Sequence, residues 1–173
     1  MTLTLAGLNA LVRPEAAEQL RACCGSSRWV QSMIARRPFA TIEALLSAAD
    51  EAWREAGSVD WDEAFAHHPR IGQRTAAAPV SATARQWSEG EQGTAAGANP
   101  AAQAALAEAN AAYERRFGRI YIVCAAGRSA EELLADITGR LKNDPGLELA
   151  IAVEEQRKIT RRRLRTLVGA GES

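Results

Sequence analysis

A net charge is the first thing that this sequence lacks, since 21 lysines and arginines offset 21 aspartates and glutamates among 173 residues. A balanced chain has no overall attraction to nucleic acid or to anionic lipid. Also missing are an apolar run of the roughly 20 residues that span a bilayer and the basic start of a secretory signal. We therefore expect a soluble, cytoplasmic protein that binds neither nucleic acid nor membrane.

Cysteine is scarce, and its placement excludes the common cysteine-based scaffolds. The three cysteines are Cys23, Cys24 and Cys124. An odd number with one adjacent pair does not predict a disulfide framework, and the lack of a CxxC motif argues against structural zinc. We interpret the chain as one domain, residues 1–173, from a reducing compartment and long enough to bury a substantial core.

Aromatic residues account for only 5% of the chain, whereas alanine is abundant and apolar residues mostly recur at helical spacing. The predicted N-caps are Ser27, Thr41, Asn99 and Ser129, the last in a capping box with Glu132. The pattern predicts an all-α, single-domain bundle of about eight helices, near 14–24, 27–37, 41–56, 59–67, 81–92, 99–117, 129–142 and 145–168. Residues 93–98 are predicted to be a flexible connection.

One segment departs from the helical rhythm. Four β-prone residues, Ile120 to Val123, follow Gly118 at the end of a predicted helix. Because no second strand is evident, we expect one extended, buried segment near 119–126 within a helical core. Its backbone N–H and C=O groups need partners, and either a bound ligand or neighbouring loops can supply them.

The two histidines, His67 and His68, are adjacent and end a predicted helix in HHPRIG, residues 67–72. Adjacent helical residues point about 100° apart and rarely bind one ion, and no third ligand with suitable spacing is present. We therefore predict no metal site. Two interpretations stay open: a histidine that complements the helix dipole, or an acid/base group, His68 before Pro69, at the mouth of a pocket.

Ser88, Glu91 and Gln92 stand at i, i+3 and i+4 of a predicted helix and so share one face. A hydroxyl, a carboxylate and a carboxamide side by side form a hydrogen-bonding platform. They also form an ordinary solvated surface, because polar side chains are mostly exposed in any case. Both interpretations remain open from the residues alone.

The basic run at 157–165 indicates nucleic-acid binding only if its arginines share one surface. Helical geometry separates them, because Arg163 falls within the apolar face whereas Arg161 and Arg165 point away from it. A buried guanidinium needs an anionic partner, from the protein or from a ligand.

These patterns occur together, in one order, along nearly the whole chain. In this respect the sequence resembles the family of 2-oxo-4-hydroxy-4-carboxy-5-ureidoimidazoline (OHCU) decarboxylase, an enzyme of urate catabolism. The segments that carry the resemblance are SSRWVQSMIARRPF (26–39), HPRIG (68–72), SEGEQ (88–92), a helix with Asn110 and Tyr113, FGRIYIVCAAGRSAEELL (117–134), RLKN (140–143), LELAIAVEEQRKI (147–159) and RRRL (161–164).

The resemblance implies an all-helical enzyme, often a homodimer, that uses no cofactor. The family acts on OHCU, which forms from urate by way of 5-hydroxyisourate, and releases CO2 to make (S)-allantoin. The small-molecule substrate is thus the expected partner, together with a second copy of the chain.

The resemblance also assigns the site. The family's catalytic residues correspond to His68, Glu91 and Arg163. From the chemistry of the reaction we expect His68 to be the proton donor, Glu91 to hydrogen-bond the ring or hydroxyl, and Arg163 to offset the negative charge of the substrate. The corresponding substrate-binding residues are Pro69, Ser88, Gln92, Ile120, Tyr121, Ile122, Val123, Cys124 and Ala125. His67 receives no role from the motif.

Two other functions compete with the decarboxylase. One is a non-catalytic binding or adaptor module whose basic C-terminal helix contacts an acidic partner. The other is a metal-dependent hydrolase that uses both histidines. Turnover of OHCU to one enantiomer of allantoin separates the decarboxylase from both.

Overall fold

The computed structural model describes residues 3–73, 76 and 78–170. Ten α-helices occur within these residues. They are α1 (Leu5–Ala10), α2 (Arg13–Cys23), α3 (Ser27–Ala35), α4 (Ile42–Arg54), α5 (Ser58–Ala66), α6 (Ala82–Glu91), α7 (Gly93–Ala96), α8 (Pro100–Phe117), α9 (Ala130–Arg140) and α10 (Pro145–Leu167). No strand occurs within those residues, so the predicted all-α class is confirmed. None of the described helices combines the length and apolarity that a membrane crossing requires.

The predicted helix starts depend on side chains that accept hydrogen bonds from the first turn. Thr41, Asn99 and Ser129 each cap a helix as predicted, and Ser129 forms the capping box with Glu132. The cap of α3 is Ser26 rather than Ser27, because the Ser26 hydroxyl accepts from the backbone N–H of Trp29. That prediction was wrong by one residue, since two adjacent serines offer the same cap chemistry.

Two short helices were not predicted. The six residues of α1, capped by Thr4, are too few to show a helical period in the sequence. Residues 93–96 form α7, which corrects the flexible connection predicted for 93–98. Gln92 ends α6 and also begins α7, so the chain turns directly from one helix into the next, and Ala95 of α7 is buried.

The chain divides into two compact units, of which the first comprises residues 1–64 and 157–173. Within it α2 packs on α3, and α3 on α4. Its core is built on Leu20, Trp29 and Leu45, and the Trp29 indole N–H donates to the carbonyl of Ala49 over 3.1 Å. The indole is thereby both buried and hydrogen-bonded, as a buried Trp requires.

The second unit comprises residues 65–156. Here α8 packs on α9, and α7 also contacts α9. Their apolar faces form a core around Leu106, Tyr113, Leu133 and Ile137. Tyr121 joins this core, with its ring centroid 5.5 Å from that of Tyr113.

The segment after α8 follows its prediction in burial. Residues 120–125 lie in neither a helix nor a strand, and Tyr121, Ile122, Val123 and Ala125 are buried. Gly118 ends α8 at φ 68°, a left-handed conformation that glycine adopts readily. The buried irregular segment predicted near 119–126 is therefore present, between α8 and α9.

Candidate active site

His68 lies just beyond the end of α5, where its backbone N–H still donates to the carbonyl of Phe65. The residue is only 9% exposed. Its Nε2 lies 2.8 Å from Oε1 of the fully buried Gln156 in α10. An amide oxygen only accepts, so Nε2 donates and carries a proton, and in the neutral ring Nδ1 is then the acceptor. Gln156 therefore sets both the orientation and the tautomer of this imidazole.

The loop that follows His68, residues 69–73, is held by side chains rather than by secondary structure. The guanidinium of Arg70 forms a two-pronged ion pair with Glu114 of α8, through Nε to Oε1 and through Nη2 to Oε2 at 2.8 Å. Asn110 Nδ2 donates to the carbonyl of Ile71 over 3.3 Å. These two contacts, one charged and one neutral, fix the loop against α8.

A further contact fixes the loop against the end of α6. The backbone N–H of Gly72 donates to Oε1 of Gln92 over 2.9 Å. Gly72 has φ 85°, a conformation that disfavours any residue with a Cβ. The side chain of Gln92 was predicted to bind substrate, and one end of it already binds the protein.

The loop, α6 and α8 enclose a cavity of about 750 Å³. Three residues of the predicted site, Pro69, Ser88 and Gln92, are among its lining residues. The face of α6 that lines it is Arg85, Ser88, Glu89 and Gln92, at helical spacing i, i+3, i+4 and i+7. The other predicted site residues are not among the lining residues that the structure describes, namely His68, Glu91, residues 120–125 and Arg163. Glu91 is half-buried, next to this face.

The buried segment 120–125 has two backbone groups that bind side chains. The carbonyl of Ile122 accepts from Nη1 of Arg140 over 2.9 Å, and the N–H of Cys124 donates to Oε2 of Glu155 over 2.8 Å. Cys124 is half-buried between two buried residues, and Ile120 is half-buried beside the buried Tyr121. The sequence left loops or a ligand as the partners of this backbone, and the structure adds side chains of α9 and α10.

Arg163 belongs to the first unit and is 4% exposed, as its position on the apolar face of the helix predicted. Its Nη1 donates to the carbonyl of Ala22 over 3.3 Å. Beside it, burial raises the pKa of the Cys24 thiol to about 11, although the positive charge of Arg163 acts in the opposite direction. Cys24 is thus a protonated, unreactive thiol at neutral pH.

Arg161 has a different environment from Arg163, which confirms the predicted separation. Arg161 and Arg157 both donate to Oδ2 of Asp50, over 2.7 Å and 3.1 Å. Their side chains are about one-third exposed, at 28% and 32%.

Comparison with known proteins identifies the family. The family model described as OHCU decarboxylase matches residues 9–165. The chain belongs to the OHCU decarboxylase family. In this family member the match includes every residue of the predicted site.

Two curated relatives are similar over part of their length. The uric acid degradation bifunctional protein TTL of Arabidopsis thaliana is 39% identical over 151 residues, which cover 87% of this chain and 46% of that protein. The 2-oxo-4-hydroxy-4-carboxy-5-ureidoimidazoline decarboxylase of Amia calva is 39% identical over 59 residues, 34% of each. The chain thus matches less than half the length of each of these relatives.

Two solved structures share the fold. The crystal structure of an OHCU decarboxylase in the presence of (S)-allantoin superposes with a TM-score of 0.75 at 35% identity, covering 88% of this chain and 98% of that one. The crystal structure of (S)-allantoin synthase superposes with a TM-score of 0.70, covering 96% of this chain and 54% of that one. At 19% identity the second likeness concerns the fold alone.

Three buried polar residues of this OHCU decarboxylase family member were missed from the sequence. They are Arg140, Glu148 and Gln156. A signal for the last two was present, because positions 148, 152, 156, 159 and 163 recur at helical spacing and are all buried. A polar residue on a buried face needs a partner. The spacing therefore indicates a buried contact for Glu148 and for Gln156.

The described residues contain no group of three or more His, Cys, Asp or Glu side chains that could hold a metal ion. The Nε2 of His68 is hydrogen-bonded to the side-chain amide of Gln156. That no cofactor is used stays a prediction.

Proposed function

We propose that this chain is a cofactor-independent decarboxylase that converts OHCU to (S)-allantoin and CO2 in urate degradation. The observation that carries the proposal is His68, which is buried, held by Gln156 and followed by a loop that lines a cavity. Membership of the OHCU decarboxylase family supplies the substrate. The match of the family model from residue 9 to 165 supports one functional domain that includes both compact units.

The reaction itself explains why an acid without a metal suffices. OHCU has a carboxylate on a ring carbon that also bears a hydroxyl. Loss of CO2 leaves an electron pair on that carbon, which the adjacent ring system delocalises. The delocalised pair reaches the neighbouring ring carbon, which bears the ureido group. A proton must add to that carbon from one side only, so that a single enantiomer of allantoin forms, while the hydroxyl on the carbon that lost CO2 gives up its proton and becomes a carbonyl.

His68 is the proton donor in this proposal. The hydrogen bond of 2.8 Å from Nε2 to Gln156 holds the ring in one orientation. The proton delivered is therefore the one on Nδ1 of the protonated ring, and an oriented ring delivers it from one side. A positioned acid contributes typically about 10²–10⁴-fold in rate. An imidazole suits the task because it gains and loses a proton near neutral pH.

The other predicted residues orient the substrate. Oε1 of Gln92 accepts from Gly72, so its amide NH2 is the group that donates to a carbonyl of the substrate. Ser88 lies one turn earlier on the same lining face of α6. Pro69 and the backbone of 120–125 contact the ring, and Glu91 binds the ring or the hydroxyl. Such orientation contributes several kcal/mol to lowering a barrier.

Arg163 offsets the negative charge of the substrate, an assignment that rests on the resemblance. Its replacement by alanine is expected to lower kcat/KM by about 10- to 100-fold, because a buried bidentate donor is lost, and lysine restores only part. Arg161→Ala is the matched control, since Arg161 binds Asp50 with a side chain that is 28% exposed. Steady-state kinetics with circular dichroism on the three variants tests this role.

The direct test of the proposed function supplies freshly generated OHCU and follows the optical activity of the allantoin formed. We expect rapid formation of the (S) enantiomer, with activity unchanged by chelators. Allantoin that forms no faster and no more enantiopure than without protein would overturn the decarboxylase, and activity that is lost on chelation and restored by zinc would overturn the cofactor-free mechanism.

The adaptor alternative loses support, because Arg157 and Arg161 of the basic run already bind Asp50. We also propose a cytoplasmic homodimer. The resemblance supports the dimer, and the presence of the three cysteines as thiols supports a reducing compartment. Light scattering of the purified protein measures the oligomeric state, and a monomer would overturn that part.

A further inference from the structure

A buried segment without secondary structure must have its backbone positioned by something other than a helical or sheet ladder. Residues 120–125 are such a segment, and their backbone contacts the substrate in the proposed function. The side chains that hold this backbone therefore bear on substrate binding without touching the substrate.

Arg140, at the end of α9, contacts two residues of the segment. It is 6% exposed, and its Nη1 donates to the carbonyl of Ile122 over 2.9 Å. The guanidinium also lies over the ring of Tyr121, 4.8 Å from the centroid. One side chain thus fixes two consecutive residues of the segment, one through its backbone and the other through its ring.

Glu148 holds Arg140 in this position. Its Oε1 accepts from Nε and Nη2 of Arg140 over 2.8 Å and 2.6 Å, and the carboxylate is fully buried. Oε2 accepts from Asn143 over 2.9 Å, and the hydroxyl of Tyr113 also donates to Glu148. Burial, and then the bond to Glu148, raises the pKa of Tyr113, so the phenol remains a donor.

Two further anchors hold the segment at its other positions. The hydroxyl of Tyr121 donates to Asp136, and the N–H of Cys124 donates to Oε2 of Glu155 over 2.8 Å. Neither anchor reaches the carbonyl of Ile122, which lies between them in sequence and bonds to Arg140. Loss of the guanidinium would therefore release the carbonyl of Ile122, while the hydroxyl of Tyr121 and the N–H of Cys124 keep their partners.

We propose that Arg140 is a positioning residue for substrate binding, which acts through the carbonyl of Ile122 and is held in place by Glu148. The inference rests on the proposed function, because it assigns a task to the same segment. It differs from a general stabilising role in its prediction that the segment loosens locally and that KM changes more than kcat.

The kinetic test uses Arg140→Lys, which keeps the charge but cannot donate to Glu148 and Ile122 in the same forked geometry. We expect KM for OHCU to rise about tenfold or more with kcat within about threefold, the signature of lost binding with the proton donor intact. Glu148→Gln should change KM in the same direction by a smaller factor. Arg116→Lys is the matched control, since Arg116 also donates to a backbone carbonyl, that of Asn143, but is exposed.

The second readout needs no activity. Amide hydrogen exchange is measured by mass spectrometry for peptides from 119–126 and from α2 and α3 in the same protein. We expect exchange in 119–126 to rise by about tenfold or more in Arg140→Lys, with α2 and α3 unchanged, because local opening differs from global unfolding. Arg116→Lys should leave both regions as in the wild type.

The outcomes separate the two proposals. A wild-type protein that does not accelerate the conversion of OHCU overturns the proposed function. An active wild type with KM and local exchange unaltered in Arg140→Lys overturns only the positioning role. Exchange that rises throughout the protein, with kcat rather than KM affected, shows that Arg140 merely stabilises the fold and also overturns the positioning role.

Discussion

The loop 69–73 and the segment 120–125 are both irregular stretches whose backbone is held by helix side chains, but the holding groups differ. A neutral amide, Asn110, and a half-exposed ion pair between Arg70 and Glu114 hold the loop, with side chains 38% and 28% exposed. The segment is held by Arg140, whose side chain is 7% exposed and pairs with the fully buried carboxylate of Glu148.

The difference in burial between the two ion pairs indicates which region tolerates substitution of the residues that hold it. A half-exposed ion pair contributes little to stability, because water screens its charges. A buried pair leaves an uncompensated charge when one partner is removed, which is strongly destabilising. We therefore expect the loop next to His68 to tolerate altered contacts, whereas the segment depends on every member of its buried network.

The largest expected effect is chemical and comes from the residue that precedes the loop. His68→Asn should lower kcat by about 10²–10⁴-fold, because it removes the proton donor, while the protein stays folded. His67→Ala is the control and should keep much of the activity. Equal losses of activity from both substitutions would show that His68 is not the proton donor.

The second largest effect is expected at Glu148, the buried carboxylate that pairs with Arg140. Glu148→Gln should lower the free energy of unfolding by about 3 kcal/mol, because the buried guanidinium of Arg140 loses its counter-ion. Urea denaturation followed by circular dichroism at 222 nm measures it. A loss below about 1 kcal/mol would mean that the buried network is no more critical than an exposed ion pair.

A smaller effect concerns the backbone of the loop. Gly72 has φ 85°, and a Cβ there would meet nothing within 4 Å, so only the backbone conformation opposes alanine. Gly72→Ala should cost about 1–2 kcal/mol in thermal or urea unfolding. Gly139→Ala is the matched control, because a Cβ added at Gly139 also meets nothing within 4 Å. Gly139 differs from Gly72 in that it lies within the helix α9. That change should stabilise by about 0.5–1 kcal/mol, and the same sign for both would contradict the account of the loop.

The smallest effect is expected at the ion pair of the loop. Glu114→Gln removes the charge opposite Arg70 at a position where water reaches both side chains. The free energy of unfolding should fall by less than about 1 kcal/mol, and the loss should shrink further in 0.5 M salt. A loss as large as that of Glu148→Gln would contradict the expectation that the buried ion pair stabilises the fold more than the half-exposed one.

The sequence by itself determined the features that depend on neighbours along a helix. The all-α class, the caps at Thr41, Asn99 and Ser129, and the burial of Arg163 all follow from interactions within one or two helical turns. The ordered motifs likewise led to the OHCU decarboxylase family, which the match over residues 9–165 confirms. The roles of the site residues stay predictions.

Only the tertiary structure decided which polar groups meet. His68 and Gln156 are separated by 88 residues, and Arg140 and Ile122 by 18. The helical spacing of α10 is a signal for the burial of Gln156 that was missed, and it carries no information about which residue Gln156 contacts. Gln92 was predicted to bind a ligand, which stays a prediction, and the structure adds a protein partner, because its Oε1 accepts from the N–H of Gly72. A local pattern specifies the face that a side chain occupies, whereas its partner depends on how separate helices pack, which no local pattern encodes.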